Sequence, residues 1–243
     1  MIKLLNMDNM ELMAEYDDNH FDLAIVDPPY GIDIMNAGGR PKHLGFKQYD
    51  KKHWDKNSPT KEYFNELFRV SKNQIIWGAN YFVEFLNKGT MGWVFWDKGQ
   101  KLTMSDGELA YSSFNKALRS IRINRSLIGQ FGGNIHPTQK PVKLYEWLLI
   151  NYAKEGDKIL DTHLGSGSIA IACHNYEYDL VGCEIDKEYY DAMMKRYNNH
   201  IAQQNLFTDN SPPKVQFNKK DEMVQLPGGC YRGGDIIKGR TEC

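Results

Sequence analysis

Short apolar runs alternate with longer stretches of helical spacing along most of this chain. Residues 2–6, 21–26, 74–77, 92–96, 109–114, 158–160 and 180–184 carry the length and β-forming side chains of strands. Residues 9–16 read as helix. Ser58-Pro59 reads as a helix start, with Ser as N-cap and Pro in the first turn, and Tyr63, Phe64, Leu67 and Phe68 follow as an apolar stripe. Pro141 opens a helix whose apolar face includes Val142, Tyr145, Leu148, Leu149 and Tyr152. A small-residue helix begins at Ser168. Asp186 N-caps a long helix with Tyr189, Met193, Tyr197 and Ile201 on one face. Strands alternating with helices predict an α/β fold, a mostly parallel twisted sheet with helices on both faces. Ligands of such sheets bind outside the carboxyl ends of the strands, where Asp8, Asp27, Asp161 and Glu184 stand.

The pattern breaks in three places. Residues 31–57 contain Gly38-Gly39, Pro41, Gly45 and many charges without periodicity, which predicts a long mobile loop. Residues 115–135 are basic and irregular. After Phe207 the periodicity dissolves among Pro212-Pro213, Gly228-Gly229 and Gly233-Gly234, as in a peripheral appendage.

Charge sharpens the picture. The net charge is only -1, yet residues 109–145 hold no Asp or Glu, while Lys116, Arg119, Arg122, Arg125, Lys140 and Lys143 fall within them. Residues 40–56 form a second basic stretch. Basic segments on a near-neutral chain point to one face built for phosphates, against the plain alternative of a solvated surface. No apolar run reaches the length of a membrane span, and the first six residues are too short and polar for a secretory signal. Cys173, Cys183, Cys230 and Cys243 have no Cys-x-x-Cys spacing. They fit reduced thiols in a cytoplasmic protein, and no metal site is expected.

Two motifs carry chemistry. The apolar run Leu23-Ala24-Ile25-Val26 ends in Asp27-Pro28-Pro29-Tyr30. A carboxylate, a stiff carbonyl-rich turn and a flat ring then share one spot, and the prolines remove two competing N–H donors. That combination suits a planar amino group on a heterocycle; a proline turn with Tyr30 packed nearby is the bland alternative. The second motif runs from Asp161 through Gly165-Ser166-Gly167 to a helix start, with the acid Glu184 ending the next strand. Glycines admit close ligand approach, the helix N-terminus offers N–H groups, and the acid suits ribose hydroxyls. Taken alone, this is the site of a nucleoside-containing cofactor, either a dinucleotide or S-adenosylmethionine.

Both motifs, together with His136-Pro137-Thr138-Gln139-Lys140-Pro141, resemble the amino-methyltransferases of DNA over about residues 1–205. The motif order resembles their circularly permuted β-type group. The resemblance implies a Rossmann-like S-adenosylmethionine-dependent fold with a catalytic domain over residues 1–205, a small DNA-recognition insertion at 115–135 and a tail at 206–243. It implies transfer of a methyl group from S-adenosylmethionine to N6 of adenine in double-stranded DNA by base flipping, with N4 of cytosine as the alternative. Asp27, Pro28, Pro29 and Tyr30 would be catalytic. Asp8, Asp161, Gly165, Ser166, Gly167, Glu184, Thr138 and Lys140 would bind the cofactor: Asp8 at its adenine, Glu184 at its ribose, Thr138 and Lys140 near its methionine end. Lys116, Arg119, Arg122 and Arg125 would contact DNA, chiefly phosphates. A cognate restriction endonuclease and a monomeric or homodimeric state are further expectations, and no membrane partner is expected. One departure stands out: Thr162 and His163 replace the family's usual Pro-Phe, and Ser168 replaces Thr, which weakens or polarises an aromatic contact to the cofactor. His163 itself reads as a turn histidine. Methylation of RNA or a protein amide, a non-catalytic DNA-binding module and a nicotinamide dehydrogenase are the competing readings.

Overall fold

The computed structural model describes residues 1–32, 55–86, 89–99, 105–124, 127–128 and 133–206, with side chains through 203, and the short strands Gln225–Leu226 and Gly229–Cys230. Most of the 31–57 loop, Arg125 and most of the tail lie outside the described residues.

Eight strands form one sheet: β1 (Ile2–Leu5), β2 (Leu23–Val26), β3 (Gln74–Trp77), β4 (Trp93–Asp97), β5 (Gly107–Ser112), β6 (Arg119–Arg122), β7 (Lys158–Asp161) and β8 (Asp179–Cys183). Their spatial order is β1-β8-β7-β2-β3-β5-β4-β6. Only β5 runs against the others, pairing antiparallel with both β3 and β4. The first strand of the chain pairs in parallel with β8, so the N-terminus completes the half-sheet built by the C-terminal part. Strand order reverses between β7 and β2, which pair through Leu23–Ile159 and Ala24–Leu160.

The unbroken apolar run of β2 follows from burial on both faces. Leu23 and Ile25 pack into one core with α3 (Val142–Tyr152), α4 (Ser168–Asn175) and α5 (Lys187–Leu206). Ala24 and Val26 pack into the opposite core with α1 (Asn9–Ala14) and α2 (Lys61–Val70). All four are at most 1% exposed, and burying each of the larger side chains contributes about 1.5–3 kcal/mol. On α2 the expected stripe is present, with Tyr63, Phe64 and Leu67 buried.

Two expectations are corrected. The α2 helix starts at Lys61, not at Pro59: Thr60 is extended (φ -84°, ψ 169°) and occupies the N-cap, with Glu62 favourably placed in the first turn. Residues 115–135 are not wholly irregular, because β6 lies within them and pairs in parallel with β4. Its sequence hides it, since Arg119, Ser120 and Arg122 are exposed and only Ile121 is half-buried. An edge strand bearing charges resists pairing with other chains and loses the apolar alternation that would announce it.

Candidate active site

The carboxyl ends of β8, β7, β2 and β3 meet along one edge of the sheet, and a cleft opens between the segments that follow them. Asp27 and Pro29 line it together with Gly165, Ser166 and Glu184. His136, Thr138 and Lys140 contribute from the segment before α3. The two sequence motifs therefore face a shared space.

The cofactor-side wall is built locally. Gly165 (φ +49°) and Gly167 (φ +71°) both adopt left-handed backbone, and a Cβ on Gly167 would lie 2.4 Å from Met193 Cγ. Glu184 Oε2 accepts from the Gly165 N–H at 2.9 Å and Oε1 from the Asp186 N–H at 2.9 Å. The turn is clamped from behind by Arg196, whose buried guanidinium donates to the Ser166 carbonyl at 2.7 Å and to Ser168 Oγ at 3.0 Å. Ser168 Oγ in turn donates to the Lys140 carbonyl at 2.7 Å, tying the glycine turn to the segment before α3. Thr138 Oγ1 sits 3.1 Å from His136 Nδ1. Gln139 folds the preceding segment, its amide donating to the Ile128 and Gly133 carbonyls and accepting from the Ile135 N–H.

Three expected residues sit differently from a ligand contact. Asp8 N-caps α1, accepting from the Met10 and Glu11 N–H groups, while its neighbours Met7 and Asn9 line the cleft. Gly167 stands behind the wall as the N-cap of α4. Asp161 is 2% exposed and accepts from the His163 N–H at 2.9 Å. Burial pushes its carboxyl up to about 8 despite that hydrogen bond, with Asp27 and Glu184 adding to the rise.

The Thr162-His163 departure forms a polar chain. Asn9 Nδ2 meets His163 Nε2 at 3.1 Å, His163 Nδ1 meets Thr162 Oγ1 at 2.9 Å, and Thr162 Oγ1 meets the Tyr63 hydroxyl at 2.7 Å. The Asn9 amide nitrogen on Nε2 assigns the ring proton to Nδ1. Burial lowers the His163 pKa to about 4, against a weak opposing pull from Asp8, so the ring is neutral near pH 7. His163 and Thr162 both line the cleft.

On the other side, Asp27 is the centre of a charge cluster. Its Oδ1 accepts from the Tyr30 hydroxyl at 2.8 Å and its Oδ2 from the Lys140 ammonium. Lys140 also reaches Glu108 Oε2 at 3.0 Å, and Lys98 holds Glu108 Oε1 at 2.8 Å. Burial raises the Asp27 carboxyl above its ordinary value against the pull of Lys140, with Glu108 adding to the rise. Burial also acts on Glu108, but Lys140 and Lys98 outweigh it and hold that carboxyl down to about 2. Lys140 is 3% exposed and keeps its proton through the two carboxylates beside it, despite burial. Tyr30 stacks face to face on Tyr81, with centroids 5.1 Å apart and planes at 16°. The Tyr30 and Gly31 N–H groups both donate to Asp55, at 2.7 and 3.1 Å, which fixes the turn after the prolines.

Sequence reading passed over Asp55, Lys98, Glu108 and Arg196. Their partners lie 10–78 residues away on other elements, and the antiparallel run of β5 brings Glu108, at its start, to the ligand edge. For Lys140 the expectation was the methionine end of a cofactor; the structure sets its ammonium on Asp27 and Glu108. Among the expected DNA contacts, Lys116 donates to the Asn151 carbonyl at 2.7 Å and lies 4.9 Å over the Tyr152 ring, at the C-terminal end of α3. Arg122 pairs with Asp97 at 2.7 Å, and Arg119 is exposed on β6.

Comparison with known proteins follows this geometry. A family model described as DNA methylase matches residues 76–195, from β3 into α5; Glu108, Lys140, the glycine turn and Glu184 fall within it, and the Asp27 tetrapeptide lies outside. The type II methyltransferase M.HpaI of Haemophilus parainfluenzae is 25% identical over 244 residues, covering 82% of this chain and 75% of that protein. The type II methyltransferase M2.DpnII of Streptococcus pneumoniae is 26% identical over 163 residues, covering 67% and 56% respectively. Two crystal structures share the fold. That of the M1.HpyAVI–SAM complex has a TM-score of 0.57 at 20% identity, covering 82% of this chain and 100% of that one. That of the PvuII DNA methyltransferase, cytosine-N4-specific, has a TM-score of 0.54 at 16% identity, covering 85% and 91%. Residues 76–195 thus match the DNA methylase family, and the relatives support a DNA amino-methyltransferase acting on N6 of adenine or N4 of cytosine.

Proposed function

We propose that this chain transfers the methyl group of S-adenosylmethionine to N6 of adenine in double-stranded DNA, with the target base flipped into the cleft. The observation that carries the reading is that Asp27 and Glu184, one from each motif, line the same cleft. A carboxylate able to grip an amine thus stands opposite a wall suited to a nucleoside.

The residues of the wall fit the cofactor. Glu184, whose oxygens hold the Gly165 and Asp186 N–H groups, puts a carboxylate at the cleft, a group suited to ribose hydroxyls. A Cβ on Gly165 would meet nothing closer than the His136 ring at 3.8 Å, so the backbone there admits close approach. Met7, Leu164 and Ile185 supply apolar surface along the cleft. Glu184, Gly165 and Ser166 would hold the nucleoside, and His163 would present a neutral polar ring in place of an apolar one. When bound, S-adenosylmethionine supplies a methyl group already activated on a sulfonium.

The chain's own task is then alignment and electrostatics. The lone pair of an aromatic amine is delocalised into its ring. Asp27 and the Pro28 carbonyl, each accepting one N–H, pull the nitrogen toward tetrahedral geometry and localise that lone pair. Tyr30 would stack on the base, with Tyr81 backing its other ring face. Flipping costs a few kcal/mol, and stacking returns about 1–3 kcal/mol per base. Adenine is put ahead of cytosine because Asp27 opens the tetrapeptide, where cytosine-directed members of the resembled family more often carry Ser. A cognate restriction endonuclease is the partner this activity calls for, since methylation would protect its site.

Incubating the protein with labelled S-adenosylmethionine and unmethylated duplex DNA, then digesting to nucleosides, tests the reading. N6-methyladenine in a defined sequence context is expected. N4-methylcytosine would move the target, and no label in DNA would overturn the function.

A further inference from the structure

The amine grip meets an obstacle in this structure. Both oxygens of Asp27 are engaged by internal donors, Oδ1 by the Tyr30 hydroxyl and Oδ2 by the Lys140 ammonium. To turn toward a substrate amine, Asp27 must give up at least part of these contacts. Releasing Lys140 with nothing else to hold it would strand a buried ammonium, a strongly unfavourable state.

Glu108 removes the obstacle. A single one of its oxygens, Oε2, lies 3.0 Å from Lys140 Nζ and 3.5 Å from the Tyr30 hydroxyl, the same two donors that hold Asp27. Its other oxygen is anchored by Lys98 at 2.8 Å, so the acceptor stays in place. Two carboxylates and two ammonium groups balance whichever carboxylate takes the hydrogen bonds. Lys140 and Lys98 keep Glu108 ionised at any working pH, although burial opposes them.

We propose that Glu108 is a positioning residue that takes over the Tyr30 hydroxyl and the Lys140 ammonium when Asp27 turns to the target amine. The exchange rests on the reading of Asp27 as the amine grip. It lets the catalytic carboxylate leave its partners without exposing a buried cation, and it moves hydrogen bonds only. No covalent bond changes in the step. Asp27 is thereby a two-position group: held by Tyr30 and Lys140 before the base arrives, turned to the amine after it, with those two donors on Glu108.

Two measurements on the full chain test the exchange. The first is thermal unfolding of Asp27→Ala, Glu108→Gln and the double variant. Either single variant leaves Lys140 one carboxylate and costs less than stranding it. The double variant strands the ammonium, and its Tm falls below the sum of the single losses by on the order of 10 °C. Additive losses overturn the proposal. The second is single-turnover methylation by Glu108→Gln, where the methyl-transfer rate falls by about 10–100-fold while S-adenosylmethionine Kd and DNA KM stay within about twofold. A wild-type rate overturns the proposal, as does a rate loss matched by the same loss in cofactor affinity. If the wild-type protein methylates no DNA, the amine-grip reading falls, and the Tm cycle alone decides whether Asp27 and Glu108 share their donors.

Discussion

The two walls of the cleft are built in different ways. The glycine-turn wall is local: Asp161, Gly165, Ser166, Gly167 and Glu184 lie within 24 consecutive residues, and the turn's N–H groups close back onto Glu184. Asp27 belongs to a charge cluster assembled from distant pieces, of which Asp27 and Lys140 line the cleft. Tyr30 and Asp27 come from the end of β2, Lys98 from the end of β4, Glu108 from the start of β5 and Lys140 from the segment before α3. A binding surface can be written as one short motif because backbone geometry does most of the work there. A charge network shared among several buried groups instead needs side chains from elements far apart in the chain.

Breaking each wall separately should give opposite signatures. The largest effect is expected from Asp27→Ala, which should lower methyl transfer by about 10³-fold or more, in the range of removing a key electrostatic contact, with fold and cofactor binding kept. Single-turnover assays and calorimetric titration check this, and undiminished methylation would refute the role of Asp27. Glu184→Ala attacks the other wall. Two buried-side N–H groups, of Gly165 and Asp186, lose their acceptor, which costs about 1–3 kcal/mol of stability. Cofactor Kd should rise while the rate at saturating cofactor is preserved. A rise in Kd with saturated rate intact would separate binding from chemistry.

Gly167→Ala tests whether the local wall depends on backbone shape. The new Cβ would stand 2.4 Å from Met193 Cγ in left-handed backbone, so destabilisation of about 1–3 kcal/mol is expected in denaturant unfolding. An unchanged midpoint would show that α5 yields freely. A pH effect comes next. Asp161 has a folded value near 8 against 3.8 unfolded, so the native state holds the extra proton between them. Stability contributed at low pH is therefore lost as pH rises from about 4 to 8. His163, lowered to about 4 from 6.5, slopes the opposite way, but only below about 6.5. Between pH 6.5 and 8 the decline belongs to Asp161, and Asp161→Asn should flatten it. The smallest effect is expected from Lys116→Met. Its ammonium caps the C-terminal end of α3, so a loss of about 0.3–1 kcal/mol should come without a change in the salt dependence of DNA binding. A salt slope reduced by about one would return Lys116 to the phosphate-contacting set.

Legibility followed the same division. The alternating strands and helices, the doubly buried run of β2 and the stripe on α2 were readable because their periodicities are consequences of local backbone geometry. The strand β6 was not, because an exposed charged edge carries no apolar pattern and takes its hydrogen bonds from β4. Thr162 and His163 were noticed as a departure, but the chain they complete needs Asn9 from α1 and Tyr63 from α2. Spacing along the chain holds no record of such meetings.

Asp27-Pro28-Pro29-Tyr30, the glycine turn and Glu184 were determined by sequence alone, as residue types whose chemistry and position at strand ends follow from nearest neighbours. Tertiary structure decided what Asp27 touches. It set Lys140 on that carboxylate, delivered Glu108 through the antiparallel strand β5 and anchored it with Lys98. The reason is electrostatic: a buried charge is tolerated only beside its counter-charges, and which groups become neighbours is fixed by the order and direction of the strands.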